Sequence, residues 1–207
     1  MKVHFFETIN IETPFDAIYK RLGYRQDVTK IARQENEKFH GYIQEALNYI
    51  KLRGSALRIP IHKKTNTHIT LTTGDIFKSN FAALLLKKSS EILLLAATAG
   101  SDIIEAIQKS KDKNLTKSVV FDATASEMTD ACLTWMINYF NQELSYEGKQ
   151  LTSKRISCGY GDFSLSHQSR IYELLELKKL NINMTDAFML VPEKSVTALT
   201  GITKKIK

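Results

Sequence analysis

Apolar residues recur at two spacings along the chain, and each spacing predicts its own kind of element. Ile31, Phe39, Ile43, Leu47 and Ile50 fall at helical intervals between Asp27 and Arg53. This predicts a long amphipathic helix with Asp27 as its cap and Gly54 as its stop. Before it, Thr13-Pro14-Phe15 suits the start of a short helix capped by Thr13, ending near Leu22 with Gly23 beyond. Ala56–Ile61 and Thr67–Leu71 read as strands joined through Lys63-Lys64-Thr65-Asn66, a hairpin in which His62 and His68 could face each other. Asn80–Ser89 reads as a short apolar helix. Ile92–Ala97 is an unbroken apolar run of strand length. Asp102–Ser110 is again helical.

From a cap at Asn114 or Thr116, a helix is expected to run to about Leu144. Its apolar face would carry Val120, Ala123, Met128, Ala131, Trp135 and Phe140. Ser145–Leu151 reads as a polar loop, Arg155–Cys158 as a short strand, and Gly159-Tyr160-Gly161-Asp162 as a break. Ser166 would cap a helix reaching Lys178. Ala187–Val191 and Ser195–Ile202 would be closing strands around Pro192-Glu193-Lys194. Helices and strands mix without strict alternation, which favours an α+β fold over a doubly wound sheet. The expectation is one domain over 1–207, with 1–55 as a helical N-terminal arm and 56–207 as the core.

Composition narrows the function classes. At 207 residues, with 43% hydrophobic and 25% charged residues, the chain can bury a sizeable core. No apolar run nears the roughly 20 residues of a bilayer span, and the first residues turn polar by Glu7, unlike a signal peptide. Cys132 and Cys158 form no CxxC and read as reduced thiols, so a cytoplasmic location is expected. The net charge of +7 favours acidic partners. Part of the excess lies between Lys51 and Lys64 and part in the tail Lys204-Lys205-Ile206-Lys207, without the interleaved aromatic residues that a nucleic-acid platform needs. Nucleic acid and membrane are therefore not expected as partners. The five histidines make no HExxH and no pairing with cysteine at ligand spacing, and neither a P-loop nor a G-x-S-x-G elbow is present. No metal site and no catalytic side chain is expected.

One segment carries chemistry. Lys154-Arg155-Ile156-Ser157-Cys158-Gly159-Tyr160-Gly161-Asp162 places a guanidinium, small residues and an aromatic ring within six positions. Arg155 can pair bidentately with a carboxylate. Gly159 and its small neighbours let main chain approach a ligand closely, and Tyr160 can cover a flat ring or a cation.

In the company of five other segments, this stretch resembles the activation (reactivation) domain family of vitamin B12-dependent methionine synthase. The family has an Arg-x-x-x-Gly-Tyr element before a helix, then a Thr-acidic-x-Phe-x-Met/Leu strand and a Pro-x-x-Ser-Val turn. Here Arg155–Tyr160, Ser166–Lys178 and Thr185–Gly201 follow in that order. Upstream, ILLLAATAG (Ile92–Gly100) and FDATASEMTD (Phe121–Asp130) are similar to the family's strand end and its Asp-Ala-x-x-Ser-Glu helix. IYKRLGY (Ile18–Tyr24) is similar to the opening of small stand-alone members.

The resemblance implies an α+β fold with a twisted, mainly antiparallel sheet flanked by helices. It implies an S-adenosylmethionine-binding subunit that supports reductive methylation of cob(II)alamin on a separate methionine synthase chain. No Asp-x-His-x-x-Gly signature of a cobalamin domain is present, so cobalamin would sit on the partner. A flavodoxin-like protein would supply the electron. By the same resemblance Arg155 would hold the ligand's carboxylate, and Ile156, Ser157, Cys158 and Gly159 would line its nucleoside. Tyr160 would pack beside it, and Asp130, or else Glu127 or Asp122, would hold its ammonium. Cys158 stands where the larger enzyme has proline. In the family the domain continues beyond the position of Gly201, and that difference leaves an alternative: a module that docks a corrinoid protein without binding S-adenosylmethionine.

Overall fold

The computed structural model describes residues 2–24 and 33–205, so the expected cap at Asp27, the residue Ile31 and the last two tail residues lie outside the described residues. Its centre is the strand β5 (Glu91–Thr98), built from the unbroken apolar run. A strand of such residues needs cover on both faces, and it has it. Leu93, Leu95 and Ala97 enter one core cluster, while Ile92, Leu94 and Ala96 enter another.

On one side β5 pairs antiparallel with β2 (Arg53–Lys64), with Leu57 opposite Leu94. On the other it pairs antiparallel with β9 (Ser195–Lys204), with Leu94 opposite Leu199. The expected hairpin is present: β2 turns into β3 (His68–Leu71). A bulge between Ile61 and Lys63 leaves His62 without a place in the ladder. His68 pairs with Lys78 of the next strand and holds Thr65 through Nδ1, so the two histidines do not face each other. β4 (Ile76–Lys78) and β1 (His4–Phe6), which were not expected, extend the sheet, β4 on β3 and β1 on β2. β6 (Lys149–Ile156) closes the far edge against β9. The main sheet has seven antiparallel strands in the order β4-β3-β2-β5-β9-β6, with β1 beside β2.

Helices cover both faces. α5 (Leu115–Tyr146) is capped by Asn114, whose side chain accepts from the Lys117 amide at 3.0 Å. At 1.5 Å per residue it runs roughly 48 Å across the sheet. Phe121, Ala125, Met128, Cys132, Leu133 and Met136 meet the sheet, whereas Ala131, Trp135 and Phe140 are only partly buried, so the expected stripe was set partly off the inward face. α1 (Phe15–Arg21) and α2 (Arg33–Leu47) pack on the outer side of α5 through Ile18, Phe39 and Ile43 against Val120 and Ala123. Pro14, not Thr13, occupies the cap position of α1, and its carbonyl accepts the Ile18 amide at 3.0 Å.

α2 ends at Leu47, before the expected Arg53, and Arg53 already belongs to β2. Gly54 is needed there for room. A Cβ on it would lie 2.7 Å from the Ala96 carbonyl and 2.8 Å from Met136 Sδ.

α3 (Asn80–Leu85), α6 (His167–Leu174) and a 3₁₀ turn (Leu177–Leu180) cover the opposite face with Leu86, Phe163, Ile171 and Leu175. The expected helix to Lys178 thus breaks into two, at Glu176 in the left-handed region. α4 (Asp102–Lys111) lies where expected. The expected loop Ser145–Leu151 is instead the end of α5 and the start of β6, because Lys149, Gln150 and Leu151 pair with Lys204, Thr203 and Ile202. The expected strand Ala187–Val191 shrinks to β8 (Leu190–Val191), which pairs with β7 (Asn183–Met184). Among the described residues no helix is long and apolar enough to cross a membrane.

Candidate functional site

The edge strand β6 stops pairing with β9 at the pair Ile156–Leu199, one step past Arg155–Thr200. Beyond it the chain swings away from the sheet. Ser157, Gly159 and Tyr160 form a tight loop: the Tyr160 amide donates to the Ser157 carbonyl at 3.3 Å, and the Gly159 amide to Phe163 at 2.8 Å. Gly159 has φ +90°, a conformation a side chain would strain. Phe163 is fully buried beneath the loop, with its ring stacked on His167 at 5.1 Å and against Phe77 at 5.8 Å.

Asp162 ties this loop to α3. It accepts from Ser79 Oγ at 2.5 Å and from the amides of Asn80 at 2.6 Å and Phe81 at 3.1 Å. The Ser79 hydroxyl first, and then these amides, hold its carboxyl below the usual aspartate range.

The loop, α5 and the β7–β8 hairpin enclose a cleft of about 860 Å³. Arg155 and Asp130 stand together at it as an ion pair, and Arg155 Nη1 also reaches Thr134 Oγ1 at 3.5 Å. The guanidinium side chain is 26% exposed and the carboxylate 56%, so both remain open to a ligand. Ile156, Ser157, Cys158 and Tyr160 also line the cleft. Burial pushes the Cys158 thiol up to about 12, so it stays protonated at neutral pH.

Gly159 shapes the turn without lining the cleft, and Glu127 lies elsewhere, paired with Arg21 at 2.5 Å. Asp122 is likewise taken, by Lys194 at 2.7 Å. Of Asp122, Glu127 and Asp130, only Asp130 meets Arg155.

Several lining residues carried no local signal. Thr185–Met189, of which Ala187–Met189 is expected as strand, is instead the loop between β7 and β8, closed by the Thr185 amide donating to the Met189 carbonyl at 2.9 Å. Phe188 sits at φ +62°, a costly conformation for an aromatic residue, and lines the cleft. Gln168 of α6 and Thr197 of β9 also line it, joined by a hydrogen bond from Thr197 Oγ1 to Gln168 Oε1 at 2.9 Å. A glutamine inside an amphipathic helix gives no cue that it faces a cavity. Phe81, Tyr160, Met189 and Val191 form an apolar rim, each between 43% and 69% exposed. No group of three metal-ligating side chains gathers among the described residues.

Comparison with protein-family models gives no match, and comparison with curated proteins gives none either. Solved structures do match. A crystal structure of the MetH reactivation domain bound to AdoHcy superposes with a TM-score of 0.71 at 16% identity, covering 100% of this chain and 80% of that one. At that identity the likeness speaks for the fold, and it agrees with the mainly antiparallel, helix-flanked sheet that the family resemblance implies. The chain has the fold of the MetH reactivation domain.

Proposed function

We propose that this chain binds S-adenosylmethionine in the Asp130–Arg155 cleft and acts as the reactivation component for a cobalamin-dependent methionine synthase whose cobalamin is carried by another chain. The observation that carries this reading is the ion pair itself. A guanidinium and a carboxylate stand side by side at a cleft whose fold, in another protein, is seen with AdoHcy.

The pair is complementary to an amino-acid zwitterion. Arg155 presents a planar fork to the ligand's carboxylate, and Asp130 takes the ammonium. Ser157 and Cys158 offer small side chains along the nucleoside, and Tyr160 offers a ring face to the sulfonium. The acceptor of the methyl group would be cob(II)alamin presented by its carrier, with one electron supplied by a reductant such as a flavodoxin-like protein, and the product would be methylcobalamin. This chain's residues contribute position. They hold the methyl–sulfur bond towards the opening, and on cleavage the bonding electrons stay on sulfur, leaving S-adenosylhomocysteine in the cleft. The rim of Phe81, Tyr160, Met189 and Val191 supplies apolar surface that excludes water when the partner docks. The net charge of +7 supports an acidic partner.

Calorimetric titration of S-adenosylmethionine and S-adenosylhomocysteine tests the reading. The wild type should bind both, and Arg155→Ala should lose at least about tenfold, or about 1.4 kcal/mol. No heat and no thermal shift at millimolar ligand would overturn it and leave a docking module.

A further inference from the structure

Gln168 is 4% exposed, and its side-chain nitrogen Nε2 is buried without a hydrogen-bond partner. A buried donor left unmade is costly, so native proteins normally supply an acceptor. The other end of the amide is spoken for: Thr197 Oγ1 donates to Oε1 at 2.9 Å. Both residues line the cleft. The amide is therefore fixed at one end and unsatisfied at the other, at the wall of a cavity large enough for a nucleoside.

Its place along the cleft says which part of a ligand it would meet. Thr200 lies opposite Arg155, and Thr197 is three residues further along β9, about 10 Å away at strand spacing. The odd step puts Thr197 on the other face of the sheet from Thr200 and Arg155, and because β6 no longer pairs with β9 beyond Ile156–Leu199, the one cleft passes round that open edge from Arg155 to Thr197 and Gln168. An S-adenosyl amino acid held by Arg155 at its carboxylate end extends its purine over such a distance. We infer that Gln168 is a specificity residue that donates from Nε2 to a ring nitrogen of the purine, with Thr197 fixing the orientation of its amide. Nε2 is covered in the unliganded protein, so the contact takes a small turn about the broad terminal torsion of glutamine, with the Thr197 bond to Oε1 as its pivot. This inference rests on the reading above that the cleft takes an S-adenosyl ligand.

The test is calorimetry with S-adenosylhomocysteine and with analogues in which N1, N3 or N7 of the purine is replaced by carbon. In the wild type one of these replacements should weaken binding about tenfold, the scale of one lost hydrogen bond to a buried group. Gln168→Met should weaken the parent ligand by a similar factor and abolish the discrimination against that analogue. Thr197→Val, which frees the amide to turn, should reduce the discrimination.

If all analogues bind the wild type equally, the inference is overturned, and this arm needs no variant to fold. It is also overturned if Gln168→Met binds the parent ligand as the wild type does while Arg155→Ala does not, and in that case the reading of the cleft survives. If the wild type fails to bind S-adenosylhomocysteine, the reading of the cleft falls, and the role of Gln168 falls with it.

Discussion

Arg155 and Asp130 are separated by 25 positions in sequence and meet because β6 runs back beside the middle of α5. The guanidinium was legible as a carboxylate partner from its setting beside small residues and a tyrosine. The resemblance puts Asp130 ahead of Glu127 and Asp122, while the residues themselves give no ground for that order, because a helix places all three within three turns and only tertiary pairing with Arg155 separates them. In the protein alone, the two groups of the pair satisfy each other, so a ligand must offer both charges to replace what it breaks. S-adenosylhomocysteine should therefore bind much better than its analogue lacking the amino group, and Asp130→Asn should erase that preference in parallel titrations. Arg155→Lys should bind more weakly than the wild type despite its retained charge, because an ammonium lacks the fork. Asp162 acts at the same scale. Its folded-state pKa is depressed, so its contribution to stability is present above the ordinary aspartate value of about 4 and fades as pH falls through the lower folded value. The melting temperature of Asp162→Ala should trail the wild type most near neutral pH, and the gap should narrow on acidification below about pH 4.

Element by element, the periodicities locate α4, α5, the β2–β3 hairpin and β5. They failed where pairing partners overrule composition. Lys149 and Gln150 look like loop residues and are strand because Lys204 and Thr203 lie beside them. Gly54 looks like a helix stop and sits in β2, where its missing side chain lets β5 and α5 close over it. Replacing it by alanine should cost about 1–3 kcal/mol, since the nearest obstacle is the carbonyl of Ala96 and cannot swing aside. Urea titration should show a lower midpoint at an unchanged slope. The β7–β8 hairpin is half legible: its residues stand out in the sequence, but the pattern of its loop reads as strand, and nothing in that pattern points Phe188 to the cleft.

For the whole molecule, the class of fold followed from the mixture of periods, but the strand order did not. β5 and β9 pair across about a hundred residues, which no local pattern encodes. The same holds for the cleft, which takes its walls from α5, α6, β6 and the β7–β8 hairpin. Filling it should stabilise the whole chain. S-adenosylhomocysteine at one hundred times its dissociation constant should raise unfolding free energy by about 2.7 kcal/mol. A thermal shift series in wild type and Arg155→Ala checks this.

The two cysteines lie at different depths in this architecture. Cys132 is under α5 in the main core, and Cys158 is in the turn beyond β6, yet both thiols are held up at about 12 by burial. Neither reacts while covered, so a thiol reagent reports only the moments when its cover lifts. Cys158 keeps 8% exposure at the wall of the cleft, so a loosening of the turn from Ser157 to Phe163 is enough to free it, whereas freeing Cys132 requires α5 to leave the sheet. The ratio of their labelling rates then measures how much more easily the cleft breathes than the protein unfolds, with no engineered probe.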